Sequence, residues 1–76
     1  PFNPLTTLSF SLPKEANVIL YIYDINGRII SMLVDSMLPS GYHSVVWGAD
    51  VNGSGIYFVK MVAGDYISTQ KLMLIK

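Results

Sequence analysis

The stretch Ala16-Asn17-Val18-Ile19-Leu20-Tyr21-Ile22-Tyr23-Asp24-Ile25-Asn26-Gly27-Arg28 decides the fold. From Val18 to Tyr23 every residue is apolar or aromatic, and most are β-branched or aromatic, which suits a pleated strand better than a helix. In a strand Val18, Leu20 and Ile22 share one face, and Ile19, Tyr21 and Tyr23 the other. Asn26-Gly27 follows at once, two residues comfortable at positive φ and the signature of a two-residue type I′ hairpin. Arg28 to Val34 then returns as the antiparallel partner.

Working outward from this hairpin, the N-terminal side opens with Pro1 and Pro4. These hold an extended lead-in, because proline sets φ and biases its predecessor away from helix. Thr6 to Leu12 alternates strictly, with Leu8, Phe10 and Leu12 opposite Thr7, Ser9 and Ser11, as a half-buried strand does. Pro13 and Lys14 end it. On the C-terminal side, Asp35 to Gly41 reads as a loop punctuated by Pro39 and Gly41. Tyr42 to Trp47 is a fourth strand, with His43, Val45 and Trp47 on one face. Gly48 to Gly55 is a glycine-rich connection holding a second Asn-Gly pair, Asn52-Gly53. Ile56 to Val62 is a fifth strand, and Ala63-Gly64-Asp65 a tight turn into a last one running towards Lys76. That last run is polar over Ser68 to Lys71 and apolar over Leu72 to Ile75, as expected of a strand that leaves a sheet edge for a central position.

Six to seven short antiparallel strands separated by turn signals predict an all-β fold, a small β-sandwich. Phe10, Leu20, Ile22, Val45, Trp47 and Phe58 are its expected core. A chain of 76 residues makes one domain, residues 1–76. With 51% hydrophobic and only 13% charged residues, it is expected either to bury both faces of its central strands or to rest against a partner. The abrupt start at Pro1-Phe2-Asn3-Pro4 is expected of a piece cut from a longer protein.

Composition also narrows function. Five basic and five acidic side chains cancel, which argues against nucleic acid, where a basic footprint is expected. The absence of cysteine removes disulfides, thiol nucleophiles and cysteine-based zinc sites. The longest unbroken apolar stretch, Val18 to Tyr23, is far short of the ~20 residues of a spanning helix, so the chain is expected not to span a membrane. His43, the lone histidine, sits in an alternating strand with no specified orienting partner, and reads as a packing or hydrogen-bonding residue rather than a catalytic base. Asp50-Val51-Asn52-Gly53-Ser54 lacks the ligand spacing of a calcium loop and reads as a turn. A carbohydrate platform would need Tyr21, Tyr23, Tyr42, Tyr57, Tyr66 and Trp47 on one exposed face, whereas sandwich cores use the same residues. No catalytic residue, metal or cofactor is expected.

Several separated motifs carry a family resemblance. Pro1-Phe2-Asn3-Pro4-Leu5-Thr6-Thr7, Phe10-Ser11-Leu12-Pro13, Tyr23-Asp24-Ile25-Asn26-Gly27-Arg28, Gly41-Tyr42-His43-Ser44-Val45-Val46-Trp47, Gly55-Ile56-Tyr57-Phe58 and Gln70-Lys71-Leu72-Met73-Leu74-Ile75-Lys76 follow one another in order. Together they resemble the type A C-terminal sorting domain of the type IX secretion system. The loop between Trp47 and Gly55 is shorter than is usual in that family, and Leu5 stands where it often has a small polar residue. The resemblance implies an immunoglobulin-like sandwich that directs its cargo from the periplasm across the outer membrane, to the cell surface or the medium. It implies as partners the type IX secretion machinery and a surface sortase-type peptidase that cleaves the domain and anchors the cargo. It further implies Gly55, Tyr57, Lys71 and Lys76 as sorting-signal residues. Read without the family, Gly55 is a turn residue, Tyr57 a packing residue, and the two lysines protect an edge strand. The competing readings are a structural or adhesive module retained on the surface, and self-association by strand addition, with Pro1 to Leu12 as the donated strand.

Overall fold

The structure, a computed structural model, describes residues 5–48 and 53–75. It is all-β: among the described residues there are six strands, every pair antiparallel, and no helix. They are β1 (Leu5–Leu12), β2 (Ala16–Asp24), β3 (Ile29–Leu38), β4 (Gly41–Gly48), β5 (Gly55–Ala63) and β6 (Tyr66–Leu74). β1 pairs with β4 in a two-stranded sheet, and the other four form a sheet in the order β3-β2-β5-β6.

The most apolar strands take the centre. β2 and β5 are flanked on both sides, and their inward residues Val18, Leu20, Ile22, Val59, Met61 and Ala63 are buried. The small sheet closes over them with Leu8 and Leu12 from β1 and Trp47 from β4. Phe10 and Val45 pack against this core half-buried. Five of the six residues expected in the core thus line it. Phe58 does not. It is one step out of phase with Val59, so it points away from the small sheet and stacks on Tyr23, centroids 5.4 Å apart.

Three local readings are also corrected. The 24–29 connection is a three-residue loop, Ile25-Asn26-Gly27, rather than a two-residue type I′ turn. The Gly27 N–H donates to the Asp24 carbonyl at 3.0 Å, and the Asp24 N–H donates to the Arg28 carbonyl at 3.0 Å. Gly27 has φ +84°, and no non-glycine residue described has positive φ, so Asn26 keeps a negative φ where a type I′ turn needs a positive one. That is a tight turn closed by a glycine in the left-handed region, the usual form of a three-residue hairpin loop. The Asp24 carboxylate selects it by accepting from the N–H groups of Asn26 (2.9 Å) and Arg28 (3.0 Å).

β3 continues to Leu38, through residues read as loop, because pairing with the start of β2 extends to Leu38↔Ala16. Its register skips Ile30 and Leu33, and both bulged residues pack towards the core. Such bulges break the period-2 pattern that marks a strand in sequence.

β6 never moves to a central position; it is the sheet edge throughout. Its change of character has another cause. The two-stranded sheet is half as wide as the sheet it covers, and the inward side chains Ser68 and Gln70 border a cleft beside β1. Leu72 and Leu74 reach the core instead, and Leu74 is buried.

Gly27→Val should destabilise the fold by about 1–2 kcal/mol, since a β-branched side chain is strained at positive φ. The empty space around the Gly27 Cα means no steric clash adds to that figure. Urea denaturation checks it, and an unchanged midpoint would contradict the turn geometry.

Candidate functional site

Three of the motifs that lie far apart in sequence meet at one end of the large sheet. β2 ends at Asp24, β5 begins at Gly55 and β6 ends at Leu74. The register sets Asp24 opposite Tyr57, Tyr57 opposite Leu72, and Gly55 opposite Leu74. Of the expected signal residues, Gly55 and Tyr57 therefore stand two residues apart on β5 at this end, while Lys71, opposite Phe58 on β6, lies one step past Leu72 and faces the other side of the sheet. Lys76 lies outside the described residues, as do most of the 48–54 connection and the 1–4 lead-in.

Their surroundings differ. Gly55 is exposed, and a Cβ there would meet nothing within 4 Å, so crowding by neighbours does not explain the glycine. Tyr57 points inward, meets Trp47 edge-on (centroids 5.6 Å, 67°), and its Oη donates to the Gly53 carbonyl at 2.6 Å. It fastens the start of β5 to the core. Lys71 is exposed on the outer face of β6, opposite Phe58.

Asp24 organises this end, a role not read from the sequence; aspartate at the first position of a turn is the signal that could have found it. The Arg28 N–H bond holds its carboxyl below the ordinary value of 3.8; desolvation opposes this, and the Asn26 N–H and Arg28 charge add to it. The Arg28 Nε lies 3.6 Å from Asp24 Oδ2, a solvated pair of little weight by itself. Because the folded pKa is depressed, the contribution of this carboxylate is present above the unfolded value and is lost as pH falls through the folded one. Asp24→Asn keeps an acceptor but not the charge. The stability gap between parent and variant should therefore be largest at neutral pH and close below 3.8. Parallel urea titrations across that range measure it.

The remaining sequence candidates separate. His43 Nε2 donates to the Pro39 carbonyl at 2.8 Å and its ring stacks on Phe10, so it closes the β3–β4 turn. The aromatic residues do not form one row. Trp47 and Tyr57 face the core, Tyr42 stands 93% exposed on the outer face of the small sheet, and Tyr66 borders the cleft beside β1. Among the described tyrosines and phenylalanines, Tyr21, Tyr23 and Phe58 cluster on the outer face of the large sheet.

That surface is the outer face of the large sheet. Its rows, read across β3-β2-β5-β6, are Ile29-Tyr23-Phe58-Lys71, Met32-Tyr21-Lys60-Thr69 and Asp35-Ile19-Val62-Ile67. Nothing among the described residues covers it. The second notable surface is the cleft of about 690 Å³ along the free side of β1, bordered by Phe10, Leu12, Met61 and Tyr66. Among the described residues no group of three or more histidine and acidic side chains is placed to hold a metal ion, and no helix is long and apolar enough to cross a membrane. No protein-family model, no curated protein and no solved structure matches the chain.

Proposed function

We propose that this chain is a non-catalytic C-terminal sorting domain that directs a cargo protein through type IX secretion, transiting the periplasm to the cell surface or medium. The proposed partners are the secretion machinery and a surface sortase-type peptidase. The observation that supports it most is the convergence of the 23–28, 55–58 and 70–75 motifs at one end of one sheet. A recognition segment must be both rigid and accessible. Here Gly55 and Lys71 are exposed on strands whose partners are anchored by Tyr57 and Leu74.

Fusion of the chain to the C-terminus of a periplasmic reporter, in a host with type IX machinery, should carry the reporter to the surface or medium. Removing residues 72–76 should abolish export, because Leu74 leaves the core and the terminal segment is lost. Lys71→Glu with Lys76→Glu separates the two causes, since an exposed lysine typically changes stability by less than about 0.5 kcal/mol when replaced. A folded double variant retained in the periplasm assigns the lysines to recognition. One that exports like the parent leaves them to edge protection.

One observation favours a second reading, a retained module that self-associates by strand addition. Among the described residues β1 pairs with β4 alone, and its other side borders the 690 Å³ cleft. Thr6 to Leu12 has no charge or proline to blunt that edge. Periplasmic retention of the intact fusion in a competent host would move this reading ahead.

A further inference from the structure

We propose that the outer face of the four-stranded sheet is a contact surface for a second copy of this chain. Two copies would pack back to back about a two-fold axis parallel to the strands. This pairing goes beyond the sorting reading and does not depend on it.

The two outer faces of the fold differ in chemistry. On the small sheet the outward side chains are Thr7, Ser9 and Ser11 from β1 and Tyr42, Ser44 and Val46 from β4, a face on which all but Val46 carry a hydroxyl. On the large sheet eight of the twelve residues in the outward rows are apolar or aromatic, and Ile29, Met32 and Ile67 are 54%, 51% and 61% exposed. Both central strands carry apolar residues outward as well as inward, and these lie half-buried between the more exposed residues of the edge strands, with no second layer over them among the described residues. Contiguous exposed apolar faces of this kind mark contact surfaces.

Size and charge select the occupant. Four strands at ~4.8 Å spacing and nine residues at ~3.4 Å each give a face of roughly 19 by 30 Å. Side-chain relief raises its accessible area towards the ~800 Å² per partner of a standard interface. The face is also complementary to itself. Asp35 stands on β3 at one side, while Lys60 and Lys71 stand on β5 and β6 at the other.

A two-fold along the strands leaves position along the strand unchanged and reverses strand order, so each row faces its own copy. Tyr23 then lies over Phe58 and Ile19 over Val62. Lys60 meets the ring of Tyr21, a favourable cation–π placement. Asp35 of the second copy comes one strand over and two residues along from Lys60, within reach of the long lysine side chain. A two-fold across the strands through the middle row would instead set Lys60 against Lys60. The sheets would cross at the ~30° that their twist imposes. A net charge of zero adds no long-range repulsion between copies.

Sedimentation equilibrium of the 76-residue chain tests this. Reversible dimer formation is expected at roughly 10–100 µM, with Lys60→Asp and Asp35→Lys each weakening it at least about tenfold. Lys60 and Asp35 are not paired within one copy, and circular dichroism checks that each variant remains folded. The double variant, Lys60→Asp with Asp35→Lys, restores the pair across the interface and should return association to within about threefold of the parent. A parent that stays monomeric at ~100 µM overturns the proposal. So does a dimer indifferent to both single reversals, as one built on the free side of β1 would be, or a double variant no stronger than the singles. Export of the fusion protein is a separate readout: a monomeric chain that is still exported would sink this pairing and leave the sorting reading standing.

Discussion

Trp47→Ala should cost about 3–5 kcal/mol and leave the chain largely unfolded. The indole is 4% exposed, and it reaches from the two-stranded sheet to meet Tyr57 of the four-stranded one. The small sheet has only two strands with which to hold its place, so its few large inward side chains carry most of the contact between layers. Total stabilities of small domains are of the order of 5–15 kcal/mol, and a domain of this size belongs at the low end. Loss of the ring would also free Tyr57, and with it the tie from Tyr57 Oη to the Gly53 carbonyl. Trp47 is the only tryptophan, so the variant is followed by far-ultraviolet circular dichroism rather than indole emission. A variant melting like the parent would refute the placement of Trp47 between the sheets.

The second large effect is a contrast between two residues on neighbouring strands. Ile22 is wholly buried at the middle of β2, and Ile22→Ala should cost about 2–5 kcal/mol through lost transfer energy and the cavity left behind. Phe58, a larger side chain, should cost less. It lies half-buried on the outer face, and its removal forfeits the stacking on Tyr23, worth about 0.5–1.5 kcal/mol beyond area, and part of its buried area, but leaves no enclosed cavity between the sheets. Urea midpoints measured at concentrations low enough to keep the chain monomeric give the comparison, since pairing would otherwise stabilise by mass action. If Phe58→Ala were the more damaging, the facing of β5 would be the reverse of that described. Phe58→Ala should also weaken association between copies, because in the proposed contact it lies over Tyr23 of the second copy.

Much of the local structure was legible from side-chain order alone. β1 shows itself in the alternation of Leu8, Phe10 and Leu12 with Thr7, Ser9 and Ser11. β4 shows itself in His43, Val45 and Trp47 opposite Tyr42, Ser44 and Val46. The positive φ of Gly27 was likewise legible, but not the length of its loop. Asp24 decides that length through two backbone N–H groups within four residues of it, a local signal that the Asn26-Gly27 pair masks. The far half of β3 was not legible either. Asp35, Ser36 and Met37 have no strand pattern of their own and are held extended by Ile19, Val18 and Asn17 across the ladder. At the candidate site the signal residues could be named one by one. Their meeting at one end of the sheet required the register of β2, β5 and β6.

By itself, then, the sequence determined the class, the strands and most of their turns, because alternation, β-branching and glycine placement act over a few residues. The tertiary structure decided which side of each strand is inside. For β1 the two agree, since one face is polar and the other is not. For β2 and β5 both faces are apolar, so nothing local separates Ile22 from Tyr21 or Val59 from Phe58. The choice between them belongs to the two-stranded sheet, which covers one face of the large sheet and not the other.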